Sequence, residues 1–457
     1  MKLRMSPRAL CLAIMCLSWV GAPASAQSVT AGVESRAARS TTTLAVNGRA
    51  SSTPSIAAEA AFVAVAWSAM LPGGGTDVFA SVSRDSAATF GAPVRVNNVA
   101  GDARVNGEQP PRIVLARRAT GDRTMHVIWT TRGKDGTKLV SARSDDDGRS
   151  FAPAATLPGS DAPGNRGWQN AVATAGGRVY AFWLDHRAMA DHSMAAGHHE
   201  HGEDPARVKP PSEKPDGVAM AQLSKLYVGS LDGSVPAHAI APGVCYCCKT
   251  AVARGPDGTI YAAWRHVYPG NVRDIAFTSS RDDGRTFAPP IRVSEDKWSL
   301  EGCPDDGPAM AVDREGRIHI AWPTLITDRT SGEPTVAVFY ASSPDGRRFT
   351  PRAPVPTEGV AHHPQIVIDG DGAPVVAWDE GSQGLRRAVI ARGSVGTDGE
   401  VVFRRTVLGD GPSAVYPVVA TSGRAVIAAW TAVQPSPSVI RIQRIETRHG
   451  ASPGGDR

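Results

Sequence analysis

The chain has 457 residues, of which 42% are hydrophobic and 20% charged, with 47 glycines, 35 prolines and only 6 cysteines. The formal net charge of +5 is small for this length, and basic residues do not cluster with aromatic ones, so nothing indicates a nucleic-acid partner. No apolar run reaches the roughly 20 residues that a spanning helix needs, and we expect no transmembrane segment.

The first 26 residues have the layout of a cleavable export signal. Basic residues precede a short apolar run, and small residues precede the expected cleavage after Ala26. Cleavage removes three basic residues and leaves 46 basic against 44 acidic ones. It also removes Cys11 and Cys16, so four cysteines remain. We predict an exported, periplasmic or secreted monomer with a folded region over residues 27–447 and a disordered tail at 448–457.

Short apolar runs recur along the chain between Gly, Pro, Asp and Ser, which predicts strands and turns. Seven runs end in a tryptophan, at spacings of 62, 54, 81, 58, 56 and 52 residues: Trp67, Trp129, Trp183, Trp264, Trp322, Trp378 and Trp430. Periods near 50 residues are typical of propeller blades. We predict an all-β fold, a single β-propeller of four-stranded blades with the tryptophans in its core, seven blades being favoured and six the alternative.

The last repeat has only one clear strand after Trp430, within "SVIRIQRIE". A propeller blade of this kind needs four strands. We therefore expect a segment between residues 29 and 46 to complete the last blade and close the ring.

A second signature follows four of the tryptophan strands by 15 to 21 residues. The copies are "SRDSAATF", "SDDDGRSF", "SRDDGRTF" and the shorter "SPDGRRF", which begin at Ser83, Ser144, Ser280 and Ser343. The Asp can accept hydrogen bonds from backbone N–H groups of a turn, and the Gly can adopt a positive φ. The aromatic ring is expected to anchor the turn on the sheet.

These repeats resemble the Asp-box (BNR-repeat) β-propellers of the sialidase-like superfamily over nearly the whole mature chain. The resemblance implies four-stranded blades around a central channel, with the boxes in the turn between the third and fourth strands. It also makes hydrolysis of a glycoside, as by an exo-alpha-sialidase (neuraminidase), a candidate activity.

A sialidase needs a Tyr nucleophile with a Glu partner, an Asp acid/base and three arginines that hold a carboxylate. The resemblance assigns these roles to Tyr416, to Glu380 or Glu108, and to Asp185 or Asp305. Arg112 comes nearest to the first arginine, but it lacks the proline of the usual motif. The middle blades carry Cys and His where further arginines are expected, which argues against sialic acid as the substrate but not against every sugar.

The 81-residue spacing indicates an insert at about residues 186–217, after the strand that ends at Trp183. It is rich in His and Met, and its second half is polar and contains prolines, which predicts an unstructured loop. Five residues of the insert are candidate auxiliary metal ligands: His192, Met194, His198, His199 and His201. The alternative is a solvated insert without a role.

The four remaining cysteines lie in two segments, "GVCYCCKT" with Cys245, Cys247 and Cys248, and "EGCPDD" with Cys303. Both segments lead into an inner strand, so we expect them at one mouth of the channel. The same geometry brings further candidate ligands to this face: His186, His266, His362 and His363.

Three interpretations of the cysteines remain open. Exported proteins usually oxidise their thiols, which favours disulfides such as one from Cys303 to the cluster, or a strained Cys247–Cys248 bridge. Thiolate, imidazole and thioether groups instead suit a transition metal, with copper favoured by the His/Met mixture and zinc second. All three clustered sulfurs can bind one ion only if the backbone turns there. A catalytic thiol is the third interpretation.

We therefore predict an exported sialidase-like propeller with a Cys/His transition-metal site at the channel mouth. Whether the protein is an enzyme stays open at this point. The alternatives are a sialidase-type glycoside hydrolase, with a carbohydrate as its partner, and a non-catalytic propeller that binds an exported protein.

Overall fold

The structure is a computed structural model that describes residues 41–133, 135–189, 217–300, 304–328, 331–382, 385–396, 400–409, 411, 413–434 and 436–446. The predicted leader and tail, Cys303 and the five auxiliary ligands of the insert lie outside the described residues. Over the described part of the chain, no helix is long and apolar enough to cross a membrane.

The described strands form seven antiparallel sheets of four strands each, so the predictions of an all-β fold and of seven blades are confirmed. Blade 1 contains β2 (Ala50–Glu59), β3 (Phe62–Met70), β4 (Thr76–Ser83) and β5 (Val94–Arg95). Blade 2 contains β6 (Arg112–Arg117), β7 (Arg123–Gly133), β8 (Gly136–Ser144) and β9 (Ala155–Thr156). Blade 3 contains β10 (Arg166–Ala173), β11 (Val179–Asp185), β12 (Lys225–Ser230) and β13 (His238–Pro242). Helix α1 (Gly217–Leu223) precedes β12.

The remaining blades repeat this order, with each inner strand first in the chain. Blade 4 contains β14 (Ala251–Arg254), β15 (Ile260–Arg265), β16 (Ile275–Ser280) and β17 (Ile291–Arg292). Blade 5 contains β18 (Ala309–Val312), β19 (Ile318–Thr327), β20 (Pro334–Ser343) and β21 (Ala353–Pro354). Blade 6 contains β22 (Val360–Ile368), β23 (Pro374–Ser382), β24 (Leu385–Val395) and β25 (Val401–Val407).

The last blade closes the ring because a strand from the start of the chain completes it, as expected. It contains β26 (Ala414–Ser422), β27 (Ala425–Ala432), β28 (Val439–Glu446) and, at its outer edge, β1 (Thr41–Leu44). β1 pairs antiparallel with β28, with Thr41 opposite Gln443. The segment predicted between residues 29 and 46 to complete the blade therefore contains that strand.

The core lies between the blades. Alternate residues of β3 face opposite neighbours: Val63, Val65 and Trp67 pack toward blade 7, whereas Ala64 and Ala66 pack toward blade 2. Because both faces of each blade are covered, the second strands are almost continuously apolar. Seven such interblade clusters follow one another around the ring. The seven tryptophans are all buried in them, as predicted.

The Asp boxes connect third and fourth strands, as the resemblance implied. In blade 2, the Ser144 hydroxyl donates to Asp146 at 2.8 Å and accepts the Gly148 N–H at 2.8 Å. Asp146 also accepts the Ser150 N–H at 3.0 Å. Phe151 packs on the cluster between blades 1 and 2. The boxes therefore fix turns and take no part in the channel.

Candidate functional site

The channel mouth is built from residues at the starts of the inner strands. In four blades this strand carries an irregularity in its register, and one residue there has a positive φ: Thr53 (51°), Trp168 (53°), His363 (55°) and Tyr416 (54°). Such a φ is strained for residues with a Cβ, and bulges of this kind re-aim side chains. Entry segments of the other blades add Glu108, Cys248 and Asp306.

The three clustered sulfurs lie on a tight turn. The Cys248 N–H donates to the Cys245 carbonyl at 3.4 Å, so the backbone turns between them as a shared ligand site requires. Their Sγ atoms are 3.5 to 3.8 Å apart, and the whole set lies within 4.8 Å. No disulfide joins two of the three, which excludes the Cys247–Cys248 bridge. Cys245 and Cys248 are free thiols.

The pKa values of the two free thiols are shifted in opposite directions. A hydrogen bond from Cys248 lowers the pKa of Cys245 to about 6 against the opposing effect of burial, with help from Arg273 and Arg265. Burial first, and then the neighbouring Cys245 sulfur, raises the pKa of Cys248. At neutral pH the pair is therefore a thiolate, Cys245, that accepts a hydrogen bond from a thiol, Cys248.

Two buried guanidinium groups lie beside this pair. Arg273 Nη1 donates to Cys245 Sγ at 3.0 Å, and Arg273 is fully buried. Arg265 gives its N–H groups to three backbone carbonyls, including that of Asp306. Arg273 gives its other N–H groups to the Leu300 carbonyl and to Asn271 Oδ1, so the hydrogen-bond partners of the two arginines among the described residues include no carboxylate. A buried cation needs a counter-charge, and the Cys245 thiolate supplies it.

The histidines predicted as ligands lie elsewhere around the mouth. His186 stacks on Trp168 at 5.0 Å between ring centroids, and His266 Nδ1 accepts a hydrogen bond from Trp264. Burial lowers the pKa of both histidines to about 4. In the described part of the chain, the group of ligand atoms within 4.8 Å of one another contains the three sulfurs alone. The rings of His186 and His266 therefore lie outside that group of sulfurs.

His362 and His363 belong to a second, charged cluster on the channel axis. His362 Nδ1 is 3.0 Å from Asp306 Oδ2, and the His363 N–H donates to the same carboxylate at 3.1 Å. His363 Nδ1 donates to Asp379 Oδ2 at 2.9 Å, since a carboxylate can only accept. Asp379 also accepts the Tyr416 N–H at 2.8 Å. These residues come from blades 5, 6 and 7.

Lys249 and Glu108 complete the charged cluster. The Lys249 N–H donates to Glu108 Oε2 at 2.9 Å, and its Nζ is 3.5 Å from Glu108 Oε1 and 3.6 Å from Asp306 Oδ1. Lys249 Nζ and Glu108 Oε1 are both buried without a hydrogen-bond partner among the described residues. Desolvation raises the pKa of Glu108 against the effect of Lys249. Perturbed groups that converge in this way are typical of functional sites.

Two of the predicted catalytic residues have structural partners. Asp185 accepts the Trp183 indole N–H at 3.1 Å and pairs with Arg166. Glu380 accepts the Trp378 indole N–H at 2.7 Å. Both brace the end of a second strand and lie away from the cluster around Tyr416, whose ring is 4.5 Å from that of His363. Burial raises the pKa of Tyr416, and the charges of Asp379 and then of Glu108 and Asp305, the alternatives in the sequence, raise it further.

Sequence reasoning missed several residues of the mouth. Lys249 directly follows the cysteines, which was a usable signal. Asp306 lies in a segment that was expected at this mouth, but nothing distinguished it from the neighbouring Asp305. Asp379 lies within β23, and nothing distinguished it from the neighbouring Glu380. Arg273 had no signal, because 28 residues separate it from the Cys245 sulfur that it contacts.

Comparisons with known proteins support the fold. No protein-family model and no curated protein matches the chain. Among solved structures, an ulvan lyase of polysaccharide lyase family PL25 matches with a TM-score of 0.55 and 10% identity, over 87% of this chain and 94% of that one. The GH93 alpha-L-arabinofuranosidase of Fusarium graminearum has a TM-score of 0.48 and 12% identity, over 88% and 95%.

A Hadza microbial sialidase matches with a TM-score of 0.42 and 14% identity, over 81% of this chain and 73% of that one. At these identities the likeness concerns the fold. The chain has the fold of a seven-bladed β-propeller, as the repeats indicated.

Proposed function

We propose that this protein is an exported propeller that binds a soft transition-metal ion, copper(I) in preference to zinc(II), through the sulfur cluster at its channel mouth. The observation that carries the proposal is the pair of free thiols, Cys245 and Cys248, 3.5 Å apart in a buried turn with one already a thiolate. Soft thiolates select copper(I) and zinc among the metals available to proteins.

The buried charges favour copper(I). Two thiolates with one monovalent ion leave a net charge of −1, whereas two thiolates with zinc(II) leave none. Arg273, in direct contact with Cys245, is stabilised by the negative complex and would lose its counter-charge in the neutral one. The His/Met segment, outside the described residues, would supply auxiliary ligands as a capturing lid.

The test is a copper(I) titration of the full mature protein under anaerobic reducing conditions, against a chromogenic chelator. We expect one ion per chain, and a loss of affinity of about 100-fold or more in Cys245→Ser and Cys248→Ser, since even second-shell changes cost 10- to 100-fold. His362→Gln is the matched control, because His362 contacts Asp306 rather than the sulfurs. No bound copper in the wild type, or equal loss in the control, would overturn the proposal.

A second candidate is a carbohydrate-active enzyme, favoured by the charged cluster around Tyr416. The names of the PL25 and GH93 proteins reported above describe enzymes that act on carbohydrates. In this candidate Glu108 would be the partner of Tyr416 and Asp305 the acid; the effect of both charges on the pKa of Tyr416 supports this choice over Glu380 and Asp185. The measurement is turnover of fluorogenic aryl glycosides, a sialoside included, which Tyr416→Phe should abolish. Absence of turnover with all of them would end this candidate and leave the scaffold interpretation.

A further inference from the structure

Cys245 and Cys248 are free thiols in positions that suit a disulfide. Their Sγ atoms are 3.5 Å apart, and the Cys248 N–H donates to the Cys245 carbonyl across the turn. A turn closed in this way keeps its first and last Cα atoms within about 7 Å, and most disulfides join Cα atoms about 4.4–6.8 Å apart. The two sulfurs can therefore form a bond without a change of fold.

The groups around the pair stabilise its reduced form instead. The Cys245 sulfur accepts hydrogen bonds from Arg273 Nη1 at 3.0 Å and from the Cys248 thiol. Arg273 is 0% exposed, and its other N–H groups bind two neutral oxygens, the Leu300 carbonyl and Asn271 Oδ1. The negative charge that a buried guanidinium group requires is thus supplied by the Cys245 thiolate.

A disulfide removes this negative charge. Both of its sulfurs are neutral, so Arg273 would stay buried beside a neutral partner. Removing one partner of a buried ion pair is strongly destabilising, because the other charge is left uncompensated. Arg265 adds to this effect, since it is a second buried guanidinium group whose charge acts on the Cys245 sulfur. The folded protein therefore stabilises the dithiol relative to the disulfide.

We propose that Cys245 and Cys248 are a dithiol–disulfide couple with an oxidising reduction potential, which Arg273 holds in the reduced state. Stabilising the reduced form raises the potential of such a couple. When dithiothreitol reduces the disulfide, it gives up two electrons and two protons and becomes a cyclic disulfide, and the Cys245–Cys248 bond breaks. One proton stays on Cys248, and the other is released because Cys245 remains a thiolate.

The couple regulates the sulfur cluster, and this step rests on the metal-binding function proposed above. A metal ion binds deprotonated cysteine sulfurs, which a disulfide does not offer. Exported proteins usually oxidise their thiols, so Arg273 keeps the cluster able to bind metal in that environment. The redox equilibrium itself is independent of any metal.

The first test needs no variant. A disulfide ordinarily stabilises a folded protein by restricting the unfolded chain, and this gain is smallest for a short loop such as that from Cys245 to Cys248. Because the fold favours the dithiol, we expect the dithiol form to unfold at a higher denaturant concentration than the disulfide form, prepared by refolding with oxidised glutathione. A higher midpoint for the disulfide form would overturn the proposal.

The second test measures the redox equilibrium of the full mature protein, without metal, in dithiothreitol buffers. Alkylated thiols are located by mass spectrometry, and cleavage after Tyr246 separates Cys245 from the other clustered sulfurs. We expect Arg273→Gln to raise the equilibrium constant for disulfide formation about tenfold or more, the effect of one hydrogen bond to a charged group. Arg273→Lys keeps the charge and should retain most of the wild-type value. Arg123→Gln is the control, because Arg123 pairs with Glu59.

Equal shifts in Arg273→Gln and Arg123→Gln, a bond from Cys245 to Cys247, or no bond in the most oxidising buffer would overturn the proposal. Copper(I) titration of both redox forms separates it from the metal-binding function. Copper bound by the dithiol form alone supports both. No copper on either form ends the metal-binding proposal and leaves the redox couple, whereas equal binding by both forms overturns the regulation.

Discussion

At the scale of single residues, neighbouring positions of one chemical type have different partners. His362 and His363 are adjacent, but one contacts Asp306 through its ring and the other contacts Asp379. Cys245 and Cys248 differ in the same way, since only Cys245 accepts a hydrogen bond from Arg273. The composition of the mouth was predictable, but these individual roles depend on contacts across blades.

The acidity of His363 is a prediction at this scale. Burial lowers its pKa, but Asp379, with Asp306 and Glu108, outweighs burial and raises it above the usual 6.5. Its contribution to stability is therefore complete below pH 6.5 and is lost as the pH rises through the higher folded pKa. We expect Asp379→Asn to lower the pKa of His363 in an NMR titration of the imidazole signals, and to remove that part of the pH dependence of unfolding.

His186 and His266 provide internal controls in the same spectra. Burial holds the pKa of each at about 4, and neither ring contacts Asp379. The pKa values of His186 and His266 should be unchanged in the Asp379→Asn variant. A wild-type His363 that titrates at or below 6.5 would contradict the assignment of its proton to the Asp379 contact.

At the scale of elements, the repeated turns were predictable and one was still missed. Ser230, at the end of β12, and Asp232 form a turn related to an Asp box, in which the Val235 N–H donates to the Ser230 hydroxyl at 2.8 Å and the Ser234 N–H to Asp232 at 3.0 Å. The insert moved this copy 47 residues beyond Trp183, and Pro236 stands where the shorter form of the box has its Phe. Both changes hid it from a search by spacing and by aromatic residue.

The glycines of the boxes give a prediction for these turns. Gly148 and Gly284 occupy the same box position, with φ of 82° and 72°. Alanine at either position adopts a φ that costs about 1–2 kcal/mol. At Gly148 the new Cβ would also lie 2.7 Å from Met125 and 3.0 Å from Val82, whereas at Gly284 its nearest contact is an ordinary 3.4 Å.

We therefore expect Gly148→Ala to lower the free energy of unfolding more than Gly284→Ala does. Met125 is 1% exposed in the cluster between blades 1 and 2, so it has little room to move. Chemical denaturation of the wild type and of both variants measures their free energies of unfolding and so tests this order. An equal loss in both would show that the neighbours relax and that only the backbone conformation matters.

At the scale of the whole molecule, the ring brings distant segments together. The Thr53 N–H donates to Thr431 at 2.9 Å across 378 residues of sequence, which joins blade 1 to blade 7 at the mouth. Because every inner strand starts at this end, each blade adds its entry segment to one surface. A propeller can therefore assemble a site from residues that no local motif connects.

The sequence by itself determined the repeat, the blade count, the buried tryptophans, the Asp boxes and the strand that closes the ring. Each depends on a local pattern: the alternation of apolar residues, a fixed turn chemistry and a period near 50 residues. Only the tertiary structure decided which side chains meet at the mouth. Cys245 accepts a hydrogen bond from the buried Arg273, and Asp379 accepts hydrogen bonds from both His363 and the Tyr416 backbone. These contacts depend on how seven entry segments converge at the mouth. Contacts between distant blades follow no period in the sequence, so sequence patterns do not predict them.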